Sequence, residues 1–269
     1  MRNRLTLCLL VISMTLSAQI DSVVSNRITT SAQLVGVGGT NILDTYLSQE
    51  KFRGPGISFL SMVERQKTGH KWSTVMQHQA HFSFTRDRGR TAKELEGSYA
   101  FFWGKYYRWS LLGDKLLLQA GGLLNVGAGF IYNTVNSNNP AQARFHINIM
   151  PSAIATYRFL LGKRKCILRY EIDLPLVGIM FSPHYGQSYY EIFTRGNYDH
   201  NIVPTTMASE PYFRQLITFD INVSQKTTLR FGYLGDYQQA KVNGLRSHVY
   251  SHRAMIGIVR SFKITNYRP

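Results

Sequence analysis

From Cys166 to Leu174 the chain alternates residue by residue. Cys166, Leu168, Tyr170, Ile172 and Leu174 form one row, and Ile167, Arg169, Glu171 and Asp173 form the other. A period of two is that of a β-strand, whose successive side chains point to opposite faces. The pattern recurs in Tyr212–Val223, where Phe213, Ile217, Phe219 and Ile221 oppose Arg214, Thr218, Asp220 and Asn222. It recurs again in Thr227–Tyr237, with Arg230 behind Leu229 and Phe231, and in the last strand, with Arg253 behind Ala254, Ile256 and Ile258. Six earlier strands follow the same rule, over about Ile28–Gly38, Gly56–Gln66, Trp72–Thr85, Glu94–Trp109, Lys115–Ile131 and Phe145–Phe159. Pro151 falls inside the sixth and predicts a bulge, because proline has no N–H for the ladder.

The connections sort into two kinds. Lys67–His70, Leu112–Asp114, Gly162–Lys165 and Gln225–Lys226 are tight, whereas Gly39–Arg53, Arg86–Lys93, Tyr132–Arg144, Pro183–Pro211 and Gly235–Ser247 are longer. They alternate along the chain. Together with the two-faced strands this predicts an all-β fold, a transmembrane antiparallel up-and-down β-barrel of ten strands, or twelve if the longest connection holds a hairpin. Tight connections would then be periplasmic turns and long ones extracellular loops, with both termini in the periplasm. A soluble barrel would bury its apolar face, but here the predicted inner rows carry charge.

Ten strands enclose little space, since side chains already fill an eight-stranded interior. The inner rows place Glu64, Glu96, Arg158, Arg169, Glu171, Asp173, Arg214, Asp220, Arg230 and Arg253 in that lumen. Charges crowded in a narrow interior must pair. The expectation is a plugged, salt-bridged lumen, with an open small-solute pore as the lesser alternative.

Residues 1–18 carry two arginines, an apolar run from Leu5 to Leu16 and a small-residue end at Ser17–Ala18, the layout of a signal peptide. Residues 19–269 then form one outer-membrane barrel domain, with no linker or repeat. The only cysteine left is Cys166, which excludes an internal disulfide and reads as an apolar filler. The chain has 31 basic and 15 acidic residues. An exported chain does not meet nucleic acid, so the expected anionic partners are outer-membrane lipid and lipopolysaccharide, beside other outer-membrane proteins.

Candidate chemistry is sparse. Polar and aromatic residues gather in the long connections: Asp44 in LDTYLS, Asn136, Asn138 and Asn139 in NTVNSNNPAQ, and Tyr185, Tyr189, Tyr190 and Glu191 in FSPHYGQSYYEIF. His184, Ser188 and Glu191 are the best candidates for an activated serine nucleophile with its base and acid, and they imply an outer-leaflet lipid hydrolase as the alternative function. Ser251 and His252 are adjacent and point to opposite faces. Glu171 and Asp173 share a face but lack a neighbouring histidine, and Asp199–His200 lie in a connection. No nucleotide loop or metal-ligand cluster is present, and no cofactor is expected.

LDTYLS, NSNNPAQ and FSPHYGQSYYEIF make the chain resemble an uncharacterised family of bacterial outer-membrane barrels, known as a domain of unknown function. The resemblance extends over most of residues 19–269 and implies an outer-membrane location. It implies no established activity and no assigned residues, so a non-enzymatic structural or assembly role is the leading expectation.

Overall fold

A computed structural model describes residues 27–137, 139–224 and 227–264, so the expected signal segment and Asn138 lie outside the described residues. The strands are β1 (Arg27–Asp44), β2 (Ser48–Lys67), β3 (Trp72–Arg86), β4 (Lys93–Leu111), β5 (Leu116–Asn133), β6 (Ala141–Leu161), β7 (Arg164–Asp173), β8 (Val177–Phe181), β9 (Ile202–Thr206), β10 (Phe213–Asn222), β11 (Thr228–Val242) and β12 (Leu245–Ile264). A short helix, α1 (Tyr189–Phe193), lies between β8 and β9. All pairings are antiparallel, and the ring runs β1 to β7, then β10, β11 and β12, which pairs with β1. Ten strands therefore close the barrel. Strands β8 and β9 form a hairpin that extends the wall within the longest connection, with β8 paired to the upper part of β6.

The outer surface is largely apolar. Val37, Ile57, Trp72, Phe84 and Ile149 are each more than half exposed, and polar residues of the alternate row, such as Ser58, Gln77, Ser83 and Asn148, are buried. On β3 the outward row runs from Trp72 through Met76, Ala80 and Phe82 to Phe84, with Thr74 and a His78 bonded to the Tyr99 hydroxyl among them; twelve strand rises tilted by about 40° cover about 30 Å, the thickness of a bilayer core. Aromatic rings mark one edge of this belt at Trp72, Tyr107, Trp109 and Tyr157, and the other at Phe84, Phe130 and Tyr132. Among the described residues no helix is long and apolar enough to cross a membrane; the strands do so.

Two long connections are shorter than the alternation suggests, because their strands continue beyond the belt. β1 reaches Asp44 and β2 restarts at Ser48, and β11 reaches Val242 before β12 begins at Leu245. Asp44, expected in a loop, is thus the inward-facing end of β1 and is buried. Above the belt both strand faces carry polar residues, so the ladder goes on while the period-two signal disappears.

Pro151 does not mark a bulge. It pairs with Gly122 in unbroken β5–β6 register and faces outward. It stands where β6 passes from β7 to β8, and its carbonyl accepts the Leu174 N–H at 3.2 Å. The irregularity lies opposite, at Leu174–Leu176. Ser152 pairs with Asp173 below it and Ile149 with Val177 above it, so the strand that runs through β7 and β8 carries one extra residue there.

The lumen is not lined by charge alone. Ala32, Leu34, Leu60, Met62, Leu216, Leu234, Met255 and Val259 form an apolar cluster inside the barrel. A second cluster packs Val75, Phe102, Tyr106, Leu123, Met150 and Ile154 around Tyr212. Ile42, Phe52, Ile131, Leu245 and Val249 join Tyr46 and Leu47 in a third, at the end from which the hairpins project.

Candidate functional site

Of the ten ionisable residues expected on the inner rows, Glu64, Glu96, Arg169, Glu171, Asp173, Arg214, Asp220, Arg230 and Arg253 face the lumen, and Arg158 is exposed at its tight-turn mouth. Arg214, on β10, is 0 % exposed and organises the centre. Its guanidinium donates to Asp173 Oδ2 at 2.5 Å and Glu171 Oε1 at 3.1 Å on β7, and to Gln77 Oε1 at 2.6 Å and Gln79 Oε1 at 2.9 Å on β3. It lies over the Phe102 ring at 4.6 Å. Glu171 Oε2 pairs with Arg169 Nη1 at 2.6 Å, and Asp173 accepts from Ser152, which in turn accepts from Tyr106 at 2.8 Å. The network therefore crosses the lumen from β3 to β10 with its carboxylates met by guanidinium groups. Such satisfaction is what a buried charge needs, because an unpaired one is costly.

The same network continues upward. Gln79 donates to Asp236 Oδ2 at 2.5 Å, and Tyr212 donates to it at 3.2 Å. Asp236 lies 3.6 Å from His81 Nε2, and His81 Nδ1 is 2.5 Å from Ser58 Oγ. Arg253 donates to Ser58 Oγ at 2.9 Å, Thr40 Oγ1 at 2.7 Å, Ser83 Oγ at 3.2 Å and the Gly39 carbonyl at 2.6 Å. Ser58, His81 and Asp236 thus present a hydroxyl, a base and an acid in order. All three are at most 7 % exposed, and the Ser58 oxygen already holds Arg253. The three are therefore closed to solvent and tied into the lumenal hydrogen-bond network.

Below the network the lumen opens into a vestibule of about 1010 Å³ at the tight-turn end. Its walls include Glu64, Arg108, Arg158, Arg169, Asp220 and Arg230. Asp220 and Arg230 face each other in register on β10 and β11 and form a two-fold pair at 2.6 and 2.7 Å. Glu64 accepts from Gln119 at 2.9 Å. At the opposite end Glu94 accepts from Asn133 at 3.0 Å and Glu96 from Ser98 at 2.6 Å.

The connection residues close that opposite end. Tyr46 donates to the Gln187 carbonyl at 2.9 Å and meets the Tyr189 ring edge-on at 5.9 Å. Burial, with Asp44 and Glu191 nearby, pushes its phenol up to about 12. Tyr189 stacks on Phe193 and Phe181, donates to Gln142 at 3.0 Å and accepts the Ala143 N–H at 2.7 Å, which pins α1 to β6. Asn136 accepts the Asn139 N–H and donates to the Leu47 carbonyl, joining two connections. Tyr185 and Tyr190 are exposed, the latter beneath Arg195.

Ser188 and Glu191 form a capping box at the start of α1: Glu191 accepts the Ser188 N–H at 2.8 Å and Ser188 Oγ accepts the Glu191 N–H at 3.2 Å. His184 Nε2 is instead 3.0 Å from the Asp199 carbonyl. Asp199 and His200 contact each other at 2.5 Å on the surface. The bonds from the Ser188 N–H and hydroxyl hold the Glu191 carboxyl below its ordinary range. A depressed carboxylate contributes above its unfolded pKa and loses that contribution as pH falls through the folded one. Amide exchange at Ser188–Thr194 is expected to accelerate below about pH 4, and Ser188→Ala should give the same acceleration at neutral pH. Exchange that is independent of pH after correction for its intrinsic rate would contradict the capping role.

Asp236, Gln77, Gln79 and His81 carry as much of the network as the charges expected from the sequence. Asp236 is in phase with Arg230 on β11, three steps of the period further on; Gly232 and Leu234 interrupt the polar row between them. Among the described residues no group of three or more His, Cys, Asp and Glu side chains converges as metal ligands do.

A closed antiparallel ring, an apolar belt outside and an ion-paired lumen define an outer-membrane β-barrel. The chain belongs to the family described as Protein of unknown function (DUF3316), whose model matches residues 5–269. No curated protein matches the chain. Solved structures similar to it include the outer membrane protease OmpT from Escherichia coli, at 9% identity and TM-score 0.49 over 90% of this chain and 99% of that one. The transport unit of the autotransporter AIDA-I from Escherichia coli is similar at 9% identity and TM-score 0.44, over 96% and 97% of the two chains. Neisserial surface protein A is similar at 9% identity and TM-score 0.37, over 87% and 97%. Likeness this distant says nothing of activity.

Proposed function

We propose that this protein is an outer-membrane barrel with a plugged lumen that acts without catalysis, as a structural element or as the partner of other outer-membrane proteins. Its tight-turn end and both termini face the periplasm, and its projecting hairpins face outward. The observation that carries this reading is the Arg214 network, which spans the lumen from β3 to β10 between apolar clusters. A channel would need an unobstructed polar path at that level. In planar bilayers the purified protein should therefore give no stable conductance steps; steps of porin size would sink the plugged reading and favour a small-solute pore.

The lipid-hydrolase alternative places its chemistry on His184, Ser188 and Glu191. Ser188 and Glu191 are engaged in capping α1, and His184 turns to Asp199, so the geometry favours the non-catalytic role. Lipid A and phospholipid profiles of a deletion strain against its parent separate the two. An acyl-chain change restored by the wild type but not by Ser188→Ala or His184→Ala would establish the enzyme. Unchanged profiles with co-purifying barrel proteins would support the structural role.

A further inference from the structure

The outward face of β2, β3 and β4 ends in a row of like charges. Arg53 pairs in register with Arg86, and Arg86 with Lys93, all three outward and exposed. Directly opposed like charges destabilise a sheet. Among the described residues none of these three cations makes an ion pair, and Arg53 and Arg86 line an open recess of about 880 Å³ together with Lys51, Arg88 and Arg90, with Lys93 paired to Arg86 beside it. Two acids, Glu50 and Asp87, line the same recess. Asp87 is committed to its own turn, accepting from Thr91 at 2.7 Å and the Ala92 N–H at 3.1 Å.

The position of the row matters as much as its charge. The next outward residues toward the belt are Pro55, Phe84 and Leu95, so the cations stand where apolar surface ends. Acyl chains would lie against Phe84 and Leu95 while the headgroup meets Arg53, Arg86 and Lys93. Guanidinium groups bind phosphate oxygens through short, charge-assisted hydrogen bonds. Five cations around one recess, with Lys93 beside them, suit a headgroup that carries more than one phosphate monoester, rather than the single diester charge of a glycerophospholipid.

We propose that Arg53, Arg86 and Lys93, with Lys51, Arg88 and Arg90, form a binding site for a bisphosphorylated lipid of the outer leaflet, of the lipid A type. The site rests on the outward orientation of the hairpins proposed above. Its test is native mass spectrometry of the detergent-solubilised protein with bisphosphoryl lipid A, monophosphoryl lipid A and phosphatidylglycerol. The wild type retains bisphosphoryl lipid A in preference to the other two. The Arg53→Gln/Arg86→Gln/Lys93→Gln variant loses that retention by about tenfold, through the lost charge-assisted bonds. A Lys163→Gln/Arg164→Gln/Lys165→Gln variant at the opposite end keeps it. Equal retention by the rim variant and the wild type, equal losses in both variants, or equal binding of phosphatidylglycerol overturns the site. If the triple variant fails to fold, Arg86→Gln alone must weaken binding.

Orientation is read separately. Arg88→Cys in a Cys166→Ser background should react with an impermeant maleimide on intact cells. No reaction overturns the outer-leaflet placement, and with it the orientation, whatever the lipid measurement gives.

Discussion

Arg214→Met should be the most destabilising single change in the barrel. It leaves Asp173 buried without its guanidinium partner and strips Gln77 and Gln79 of their shared donor. Breaking a buried pair by removing one partner costs about 3–5 kcal/mol, because the remaining charge has nowhere to go. The denaturant midpoint of the detergent-folded protein, followed by the shifted gel mobility of folded barrels, should fall accordingly. Adding Asp173→Asn should recover much of the loss, since the Arg169–Glu171 pair at 2.6 Å then stands alone with balanced charge. Arg214→Lys should not match the wild type, because one ammonium cannot reach the four acceptors that the planar fork serves. An unchanged midpoint for Arg214→Met would mean that the network is not what holds the lumen closed.

Gly38→Ala should be nearly as damaging, and its neighbour supplies the control. A Cβ on Gly38 would stand 1.8 Å from the His252 carbonyl oxygen on β12, whereas one on Gly39 meets nothing within 4 Å. The obstacle at Gly38 is backbone, which cannot rotate away, so β1 and β12 must separate at the seam that closes the ring. Overpacking costs about 1–3 kcal/mol where side chains can yield, and this site lacks even that relief. The folded yield of Gly38→Ala on refolding into detergent should drop sharply while Gly39→Ala matches the wild type. Equal yields would show that the seam is looser than the register implies.

The faces of β7 and β10 were legible in the sequence because lipid lies on one side and charge on the other. Where that contrast fails, period two conceals as much as it reveals. Leu34, Leu60, Leu216 and Leu234 point into the lumen, where only charged and polar rows were expected; both faces of those strands are apolar locally, so the apolar lumenal cluster leaves no contrast to read. Beyond Tyr237 the outward side meets water, so Gln238 and Lys241 read as loop while β11 continues to Val242. The lumenal charges were recognisable one by one, but their partners were not. Which strand stands across from Arg214 depends on the closure of the ring, and Gln77 is 137 positions away. The capping role of Ser188 and Glu191 follows from their spacing of three; the hydrolase reading of the same pair rested on a histidine that folding directs to Asp199.

Arg253 sits on β12, which is synthesised after the other described strands of the ring. Its guanidinium reaches the Gly39 carbonyl and Thr40 on the first strand, Ser58 on the second and Ser83 on the third. The edges of β1 and β12 meet from Arg27 against Ile264 to Asp44 against Ser247. No partial chain lacking β12 can make these contacts, whatever earlier strands have paired. The contacts that tie the interior here and those that join the two ends of the wall thus come with the same strand, and a single side chain acts as the bolt between them. Until it slides home, the assembling barrel is an open sheet with an exposed edge on either side.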